Sequence, residues 1–276
     1  MSGALLRHPR VRNYARLAPA ILTITLLFGG ALAGAVRTSV LPLGQDATLA
    51  TWSSLLHAPE LVDAALFTLR TALISTLLAA AVAVAIALAV WRRGTWVRAL
   101  LALAVPIPHL LVATVAVLWL APGGLAERVL GALPITLVRD RAGLGVVLVY
   151  VYKEAPFLAL LLLAAMGQGY REREEACAAL GASASQRLRW VTWPTIRGPL
   201  VVGSIIVFAY VLGAFEVPLA LGPSYPPTLA EYAFNATRGD LISGQSTAAA
   251  TLLLTSVAAM LLAVLAVRLA KDPQGD

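Results

Sequence analysis

The sequence predicts an all-α fold, a polytopic membrane protein with six transmembrane helices, and three observations support it. The first is composition: 59% of the 276 residues are hydrophobic, 13% are charged, and the mean hydropathy is +0.82. Soluble domains average about 45–50% apolar and about 25% charged residues. The second is a series of six long apolar runs, and the third is the clustering of basic residues on alternate connections between these runs. The length suits a single membrane domain over residues 1–276.

Each of the six apolar runs is long enough to cross a bilayer. A helix rises about 1.5 Å per residue, so a hydrocarbon core of about 30 Å takes about 20 apolar residues. The fifth run is followed by the Pro-rich sequence GPSYPP, which is expected to end it because proline does not continue a helix. In chain order, the predicted spans cover about residues 17–36, 65–91, 99–121, 143–167, 200–221 and 247–270.

The first run has an alternative interpretation as a signal peptide. Basic residues precede it, and the sequence AGA at 33–35 resembles a cleavage site. The apolar run is longer than that of a normal signal peptide, which favours a membrane span. The loop that follows, from Arg37 to about Ala64, carries turn signals and is predicted to contain one short interfacial helix. The loop after the third run is predicted to be partly helical.

The basic residues predict that both termini are cytoplasmic. Lysine and arginine concentrate on the cytoplasmic side of membrane proteins. With the N-terminus inside, fourteen of the 21 basic residues fall on inner segments and seven on outer loops and span edges. The net charge of +7 is therefore attributed to this bias and not to nucleic-acid binding. The inner set comprises Arg7, Arg10, Arg12, Arg16, Arg92, Arg93, Arg98, Arg171, Arg173, Arg187, Arg189, Arg197, Arg268 and Lys271.

A charged stretch interrupts the apolar pattern between the fourth and fifth runs. It covers Glu174–Ile196 and reads EEACAALGASASQRLRWVTWPTI. The pattern predicts a helix up to Leu180, a bend at Gly181, a second helix over 186–190 and a stop at Pro194. A solvated cytoplasmic loop with charged faces is the simpler alternative.

The spacing within this stretch resembles the EAA loop of permease subunits in binding-protein-dependent ABC importers. The family pattern is Glu-Ala-Ala, three residues, Gly, nine residues, Ile, one residue and Leu-Pro. Cys177, Val191 and Trp193 replace Ala, Ile and Leu of the pattern, and all three replacements are apolar. Both gap lengths match the pattern: three residues separate Glu175-Ala176-Cys177 from Gly181, and nine separate Gly181 from Val191, which precedes Thr192 and Trp193-Pro194.

Two further stretches extend the resemblance over most of the chain. They are YVYKEAPFLALLLLAAM at 150–166 and LGAFEVPLALGPSYPPTLAEYAF at 212–234. Both are similar to the fourth and fifth spans of permeases in the group that imports polyamines, ferric iron, sulfate or thiamine.

The resemblance implies a role for the charged stretch, taken as a loop over residues 170–198. In this family the EAA loop forms a cytoplasmic coupling helix that docks into a groove on an ATPase subunit, and residues 178–186 are expected to lie in that groove. Arg187 and Arg189 either pair with acidic residues of the ATPase or are ordinary cytoplasmic arginines. The coupling residues implied are Glu175, Ala176, Cys177, Ala178, Ala179, Leu180, Gly181, Ala182, Ser183, Gln186, Arg187 and Pro194.

The same resemblance implies an assembly in the bacterial inner membrane. It consists of this chain in the lipid bilayer, a second and related permease subunit, two copies of an ABC ATPase and an external substrate-binding protein. The two permeases together enclose the substrate pathway. No phosphate-binding loop is present, because the lysines at 153 and 271 follow Tyr152 and Ala270 and not glycine. ATP and Mg²⁺ therefore belong to the ATPase, and this chain is expected to hold no cofactor.

Charged residues within the predicted spans include Lys153, Glu154 and Glu216. Glu216, next to Phe215, falls near the outer end of the fifth span, where an unpaired carboxylate is costly and usually faces a cavity. These two residues are interpreted as part of the translocation pathway, and the alternative is that Glu216 is simply hydrated. Lys153 and Glu154 are expected to anchor the outer end of the fourth span.

Two other classes of function were compared with this interpretation. A self-contained secondary transporter or channel would show inverted repeats or mid-membrane charges, and neither is clear in the sequence. An intramembrane enzyme would need a catalytic constellation, and the serines of GASAS have no histidine or aspartate placed to activate them. His8, His57 and His109 are isolated from one another, so no metal site is expected.

Overall fold

The computed structural model describes residues 9–44, 46–93, 95–131, 135–240 and 243–271, with the backbone alone at 9–16, 266–267 and 269–271. Arg7, which the orientation argument used, lies outside these residues, as do both chain ends. The described part is helical throughout and contains no strand, which confirms the predicted all-α class.

Thirteen α-helices occur in these residues. They are α1 (Pro9–Val40), α2 (Ala50–Leu56), α3 (Pro59–Val90), α4 (Thr95–Ala104), α5 (His109–Leu120), α6 (Leu125–Leu130), α7 (Leu144–Ala165), α8 (Gln168–Ala179), α9 (Ala184–Arg187), α10 (Trp193–Gly213), α11 (Glu216–Leu221), α12 (Leu229–Gly239) and α13 (Ser243–Lys271). A π-helical turn, Leu188–Thr192, joins α9 to α10. The short helix expected in the loop after the first span is α2, and the loop predicted after the third span contains α6.

Six helical segments of the described chain are long and apolar enough to cross a membrane, as the sequence predicts. Their order also follows the prediction, and the boundaries differ most at the third and fifth. The segments are Leu17–Val40, Pro59–Val90, His109–Leu130, Leu144–Ala165, Ala184–Gly213 and Ser243–Leu265.

The third span is not the continuous helix predicted over 99–121. The predicted stretch is divided between α4 and α5, which are separated by the sequence VPIP at 105–108, and the third membrane-length segment begins only at α5. Proline lacks an N–H donor and disfavours helical geometry in the residue before it, so Pro106 and Pro108 end α4 and delay the start of α5. The break leaves the last carbonyl groups of α4 without partners within the helix.

The fifth span also departs from the predicted 200–221. Helix continues from Ala184 through the π-helical turn to Gly213, and Ala214 is then extended, with φ −74° and ψ 144°. Pro194 does not stop the helix as predicted. It lies in the first turn of α10, where a missing N–H costs little. Glu216 therefore lies beyond the span, in the first turn of α11.

The described helices form two compact units, and the first contains the chain up to His57 together with Ala233–Leu253. In this unit the indole Nε1 of Trp52 on α2 donates to Ser39 Oγ of α1 over 3.2 Å. Ser243, at the start of α13, donates from Oγ to the carboxylate of Asp240 over 2.6 Å. The predicted single domain over 1–276 stays a prediction.

The second unit contains Ala58–Tyr232 and the chain from Leu254 onward, and its centre is the pair α3 and α7. The buried face of α3 is made of small side chains, including Ala72, Ala79, Ala83 and Ala87. Such residues let helices approach closely in membranes. Gly203 of α10 serves the same purpose, because a Cβ there would lie 2.7 Å from the tips of two leucine side chains of α7.

Candidate functional site

The charged stretch forms a compact structure that is anchored to the ends of the neighbouring spans. Tyr170 of α8 is buried, and its hydroxyl lies 3.0 Å from Thr192 Oγ1 in the π-helical turn. Its ring packs edge-on against Trp91, which follows α3, with 5.1 Å between centroids. Burial raises the pKa of the Tyr170 phenol. These contacts tie α8 to the ends of α3 and α10.

The turn after α8 is a complete Schellman motif. Gly181 has φ +83°, a left-handed conformation that glycine adopts without strain. Its N–H donates to the carbonyl of Ala178, and the N–H of Ala182 donates to the carbonyl of Cys177, each over 3.0 Å. These two hydrogen bonds satisfy carbonyl groups at the end of the helix. The bend predicted at Gly181 is present, and the left-handed φ favours glycine there.

A capping box begins α9 two residues later. Ser183 Oγ accepts from the N–H of Gln186, and Gln186 Oε1 accepts from the N–H of Ser183 over 2.7 Å. This reciprocal arrangement satisfies donors at a helix start. The two predicted coupling residues therefore have a local role, which is to fix the direction of the chain as it leaves the turn.

A buried carboxylate holds the two arms of the turn together. Glu174 is 5% exposed, and its Oε1 accepts from Arg187 Nε over 2.9 Å while Oε2 accepts from Arg92 Nη2 over 2.6 Å. Arg187 also donates from Nη1 to the carbonyl of Ala182 over 2.6 Å. Arg187 is thus engaged within the chain, a contact that neither of the two alternatives for this residue in the sequence analysis included.

The outer surface of the turn is apolar and uncovered. Glu175 and its alanine neighbours at 176, 178 and 179 are exposed, and Leu180 at the tip is 88% exposed. Trp190 is 70% exposed, and Arg189 lies 5.5 Å from the centre of its ring. Together they border a shallow depression of about 400 Å³, lined by Cys177, Leu180, Gly181, Ala182, Gln186, Arg187 and Trp190. Leucine and tryptophan this exposed on a small-residue surface are typical of a docking site.

The two predicted pathway residues lie where α10 gives way to α11. Phe215 is half-buried at the N-cap of α11, and Glu216 is exposed in its first turn. The break at Ala214 places Glu216 in α11, after the fifth membrane-length segment, and not within one continuous span as predicted. The two residues stay candidates for the pathway on position alone.

A buried charged cluster is the main feature that the sequence interpretation missed. Lys153 and Glu154 were expected at the end of the fourth span, and this was wrong, because they lie near the middle of α7 and are 3% and 8% exposed. Lys153 Nζ donates to three carbonyls at the α4–α5 break, those of Ala104 (2.7 Å), Val105 (3.1 Å) and Ile107 (2.7 Å). The lysine satisfies carbonyl groups that the prolines leave open.

Glu154 forms a hydrogen bond with the helix that follows the α4–α5 break. Its Oε1 lies 2.8 Å from Nε2 of His109, the first residue of α5. The His109 ring is also 4.8 Å from the ring of Tyr210 on α10. The adjacent letters KE within an apolar run were the available signal, since an ionisable residue inside a span is by default a functional candidate. What the sequence did not reveal was the pairing with His109.

These features define an α-helical protein with six membrane-length segments and a structured charged loop whose outer surface is apolar and exposed. The chain belongs to the family of binding-protein-dependent transport system inner membrane components, which matches residues 76–272. It is accordingly a permease subunit of an ABC importer, a non-catalytic component that spans the inner membrane in several passes.

Two relatives from Escherichia coli (strain K12) are inner membrane ABC transporter permease proteins. The chain is 32% identical over 211 residues to the inner membrane ABC transporter permease protein YnjC, which covers 75% of this chain and 41% of YnjC. It is 38% identical over 82 residues to the inner membrane ABC transporter permease protein YdcU, covering 30% of this chain and 26% of YdcU. The chain thus spans less than half the length of these relatives.

Solved structures of a bacterial alginate ABC transporter share the fold. One, in complex with an alginate pentasaccharide-bound periplasmic protein, has a TM-score of 0.74 at 19% identity and covers 92% of this chain and 91% of that chain. Another, of a bacterial ABC transporter involved in the import of the acidic polysaccharide alginate, has a TM-score of 0.73 at 20% identity, with 94% of each chain covered. At this identity the likeness concerns the fold alone.

Proposed function

We propose that residues 168–187 are the surface through which this permease subunit couples to a cytoplasmic ATPase. The observation that carries the proposal is a rigid turn with an uncovered apolar tip. Leu180 projects from a Schellman motif that is closed on one side by the Glu174 brace and on the other by the Ser183 capping box. A loop that transmits the closure of the ATPase to the membrane helices must resist bending. These contacts are expected to stiffen it.

The proposed assembly follows from the family and from the absence of a phosphate-binding loop in the sequence. Two copies of an ABC ATPase bind the ATP and Mg²⁺, and an external binding protein delivers the substrate. A second permease, related to this chain, completes the pathway, to which Glu216 and Phe215 contribute. Closure of the ATPases tilts the coupling turns and rocks the spans between inward-facing and outward-facing states.

The proposed orientation has both termini and the coupling turn on the cytoplasmic side of the bacterial inner membrane. The support is the fourteen-to-seven distribution of basic residues and the even number of spans. Residues 1–276 are proposed to form one importer domain, as the sequence analysis expects.

The substrate is proposed to fall within the group of polyamines, ferric iron, sulfate or thiamine. The support is the sequence resemblance at 150–166 and 212–234. A self-contained transporter or channel, the alternative function, would have no use for an exposed Leu180 on a structured loop.

The direct test is co-purification of the ATPase with a tagged chain from its native membrane. We expect Gly181→Leu to reduce the recovered ATPase by about tenfold, since the left-handed backbone disfavours an L-residue by about 1–2 kcal/mol and a bulky side chain would stand on the docking surface. Gly131→Leu is the matched control. Gly131 has the same φ of +83° and the same open space where a Cβ would lie, but it follows α6 in an outer loop.

The outcomes separate the proposal from its rival. Recovery of an ATPase that Gly181→Leu abolishes and Gly131→Leu preserves supports the coupling role, and mass spectrometry of the same sample shows whether the second permease differs from this chain. A homo-oligomer without ATPase, even after crosslinking, contradicts the proposal and favours the self-contained transporter.

A further inference from the structure

A small cavity lies beside the buried charged cluster in the second unit. Its volume is about 210 Å³, and its walls come from the α4–α5 break, from α7 and from α10. The walls are mostly apolar, apart from a few polar groups that converge on one end. The residues that carry the argument are His109, Lys153, Glu154, Phe157 and Tyr210.

The lysine in the cavity wall has no hydrogen-bond capacity left. An ammonium group has three N–H donors. Lys153 directs all three to backbone carbonyls, at 2.7, 3.1 and 2.7 Å. Its charge is stabilised there by the carbonyl end of α4, which carries a partial negative charge, and by the adjacent Glu154 carboxylate. An anion entering the cavity would find no free ammonium donor on this side chain.

The Glu154 carboxylate is an acceptor in the cavity lining, and the Tyr210 phenol in the same lining can donate as well as accept. Glu154 uses Oε1 for His109, and within the described chain its Oε2 makes no hydrogen bond. Aromatic rings line the same cavity: the ring centroids of His109 and Tyr210 lie 4.8 Å apart, and Phe157 follows Glu154 by three residues on α7. A carboxylate among aromatic faces is the arrangement that favours organic ammonium groups, since ring faces attract cations when both are shielded from water.

We propose that Glu154, His109, Tyr210 and Phe157 form an intramembrane contact site for an organic ammonium group of the transported substrate. This inference rests on the proposed import function and adds a chemical class to it. Glu154 supplies the counter-charge, the rings supply the walls, and Lys153 positions Glu154 by fixing α7 against the α4–α5 break. The site explains why a carboxylate persists at mid-span, where it is otherwise costly.

The test is solid-state NMR of the complete transporter in lipid vesicles, with ¹⁵N-labelled histidine. The chain has three histidines, and His109→Gln assigns the ring signal of interest. Ethylammonium chloride is the probe, with potassium chloride and sodium acetate as comparison arms at equal ionic strength. The variants are Glu154→Gln, which removes the counter-charge, and Glu60→Gln, a control at an exposed carboxylate near the start of α3.

We expect ethylammonium to shift the His109 signal saturably, with an apparent affinity that falls at least about tenfold in Glu154→Gln and is unchanged in Glu60→Gln. No shift in the natural chain, an equal shift in Glu154→Gln, or an equal response to potassium or acetate would overturn the ammonium site. Retention of the ATPase is measured on the same samples. Loss of ATPase from the natural chain would contradict the proposed function, whatever the histidine signal shows.

Discussion

At the scale of single residues, Glu174 braces the proposed coupling turn, residues 168–187, through its contacts with two arginines. Its carboxylate is shared by two arginines that are far apart in the sequence, and Arg92 lies 82 positions away. Spacing alone identified Glu175 and Gly181 as family positions, because the EAA pattern is local. It gave no role to Glu174, since a contact across such a distance depends on how α3 and α8 pack and not on any local pattern.

Replacing Glu174 by Gln is expected to loosen the turn. The amide keeps the shape but removes the charge that both guanidinium groups contact, so we expect the local opening free energy to fall by about 1–3 kcal/mol. Hydrogen–deuterium exchange of the amides between 175 and 187 measures this directly. Glu172→Gln is the control, because Glu172 is exposed and accepts only from Gln168. Equal exchange in both variants would show that the brace does not stabilise the turn.

At the scale of helices, the α4–α5 break is held by two adjacent residues of α7. Lys153 contacts the carbonyl side of the break and Glu154 contacts His109 at the start of α5. Hydropathy predicts six spans because each must bury about 20 residues in lipid. It does not predict this break accurately, because the residues of the break are themselves apolar. Nor does it predict the π-helical turn at 188–192, which follows from packing and lacks a sequence signal.

Lys153→Met is expected to destabilise the second unit. Methionine fills a similar volume but leaves three partly buried carbonyls without this donor, and we expect the free energy of unfolding to fall by about 3 kcal/mol. Unfolding by denaturant in lipid–detergent micelles, followed by circular dichroism, reports the change. Tyr152→Phe is the neighbouring control, since that side chain is 54% exposed. A midpoint unchanged by Lys153→Met would mean that water satisfies these carbonyls instead.

At the scale of the whole molecule, the chain is a permease subunit, and its proposed role is to form part of the substrate pathway and to couple to an ATPase on another chain. Composition and charge distribution predicted the class because membrane solvation constrains the entire sequence. The EAA spacing predicted the coupling turn because the turn needs glycine at one position. The substrate could not be predicted in this way, because the polar groups near the cavity come from α5, α7 and α10 and meet only in the folded chain.

The orientation is tested with the chain's single cysteine. Cys177 lines the depression beside the coupling turn. A membrane-impermeant maleimide is expected to label it in inside-out vesicles and to leave it unlabelled in right-side-out vesicles. A cysteine placed at exposed Ser224, in a chain with Cys177→Ser, should show the reverse pattern. Labelling of both sites from the same side would refute the predicted membrane crossing between them.

The measurement that tests the coupling role most directly is the rate of Cys177 modification with and without the ATPase. Inside-out vesicles from cells with the ATPase are compared with vesicles from cells that lack it, using a bulky maleimide. We predict modification at least about tenfold slower when the ATPase is present, because the depression is then covered. The same rate in both preparations, with the ATPase shown to be bound, would contradict the account and place the ATPase contact elsewhere on the chain.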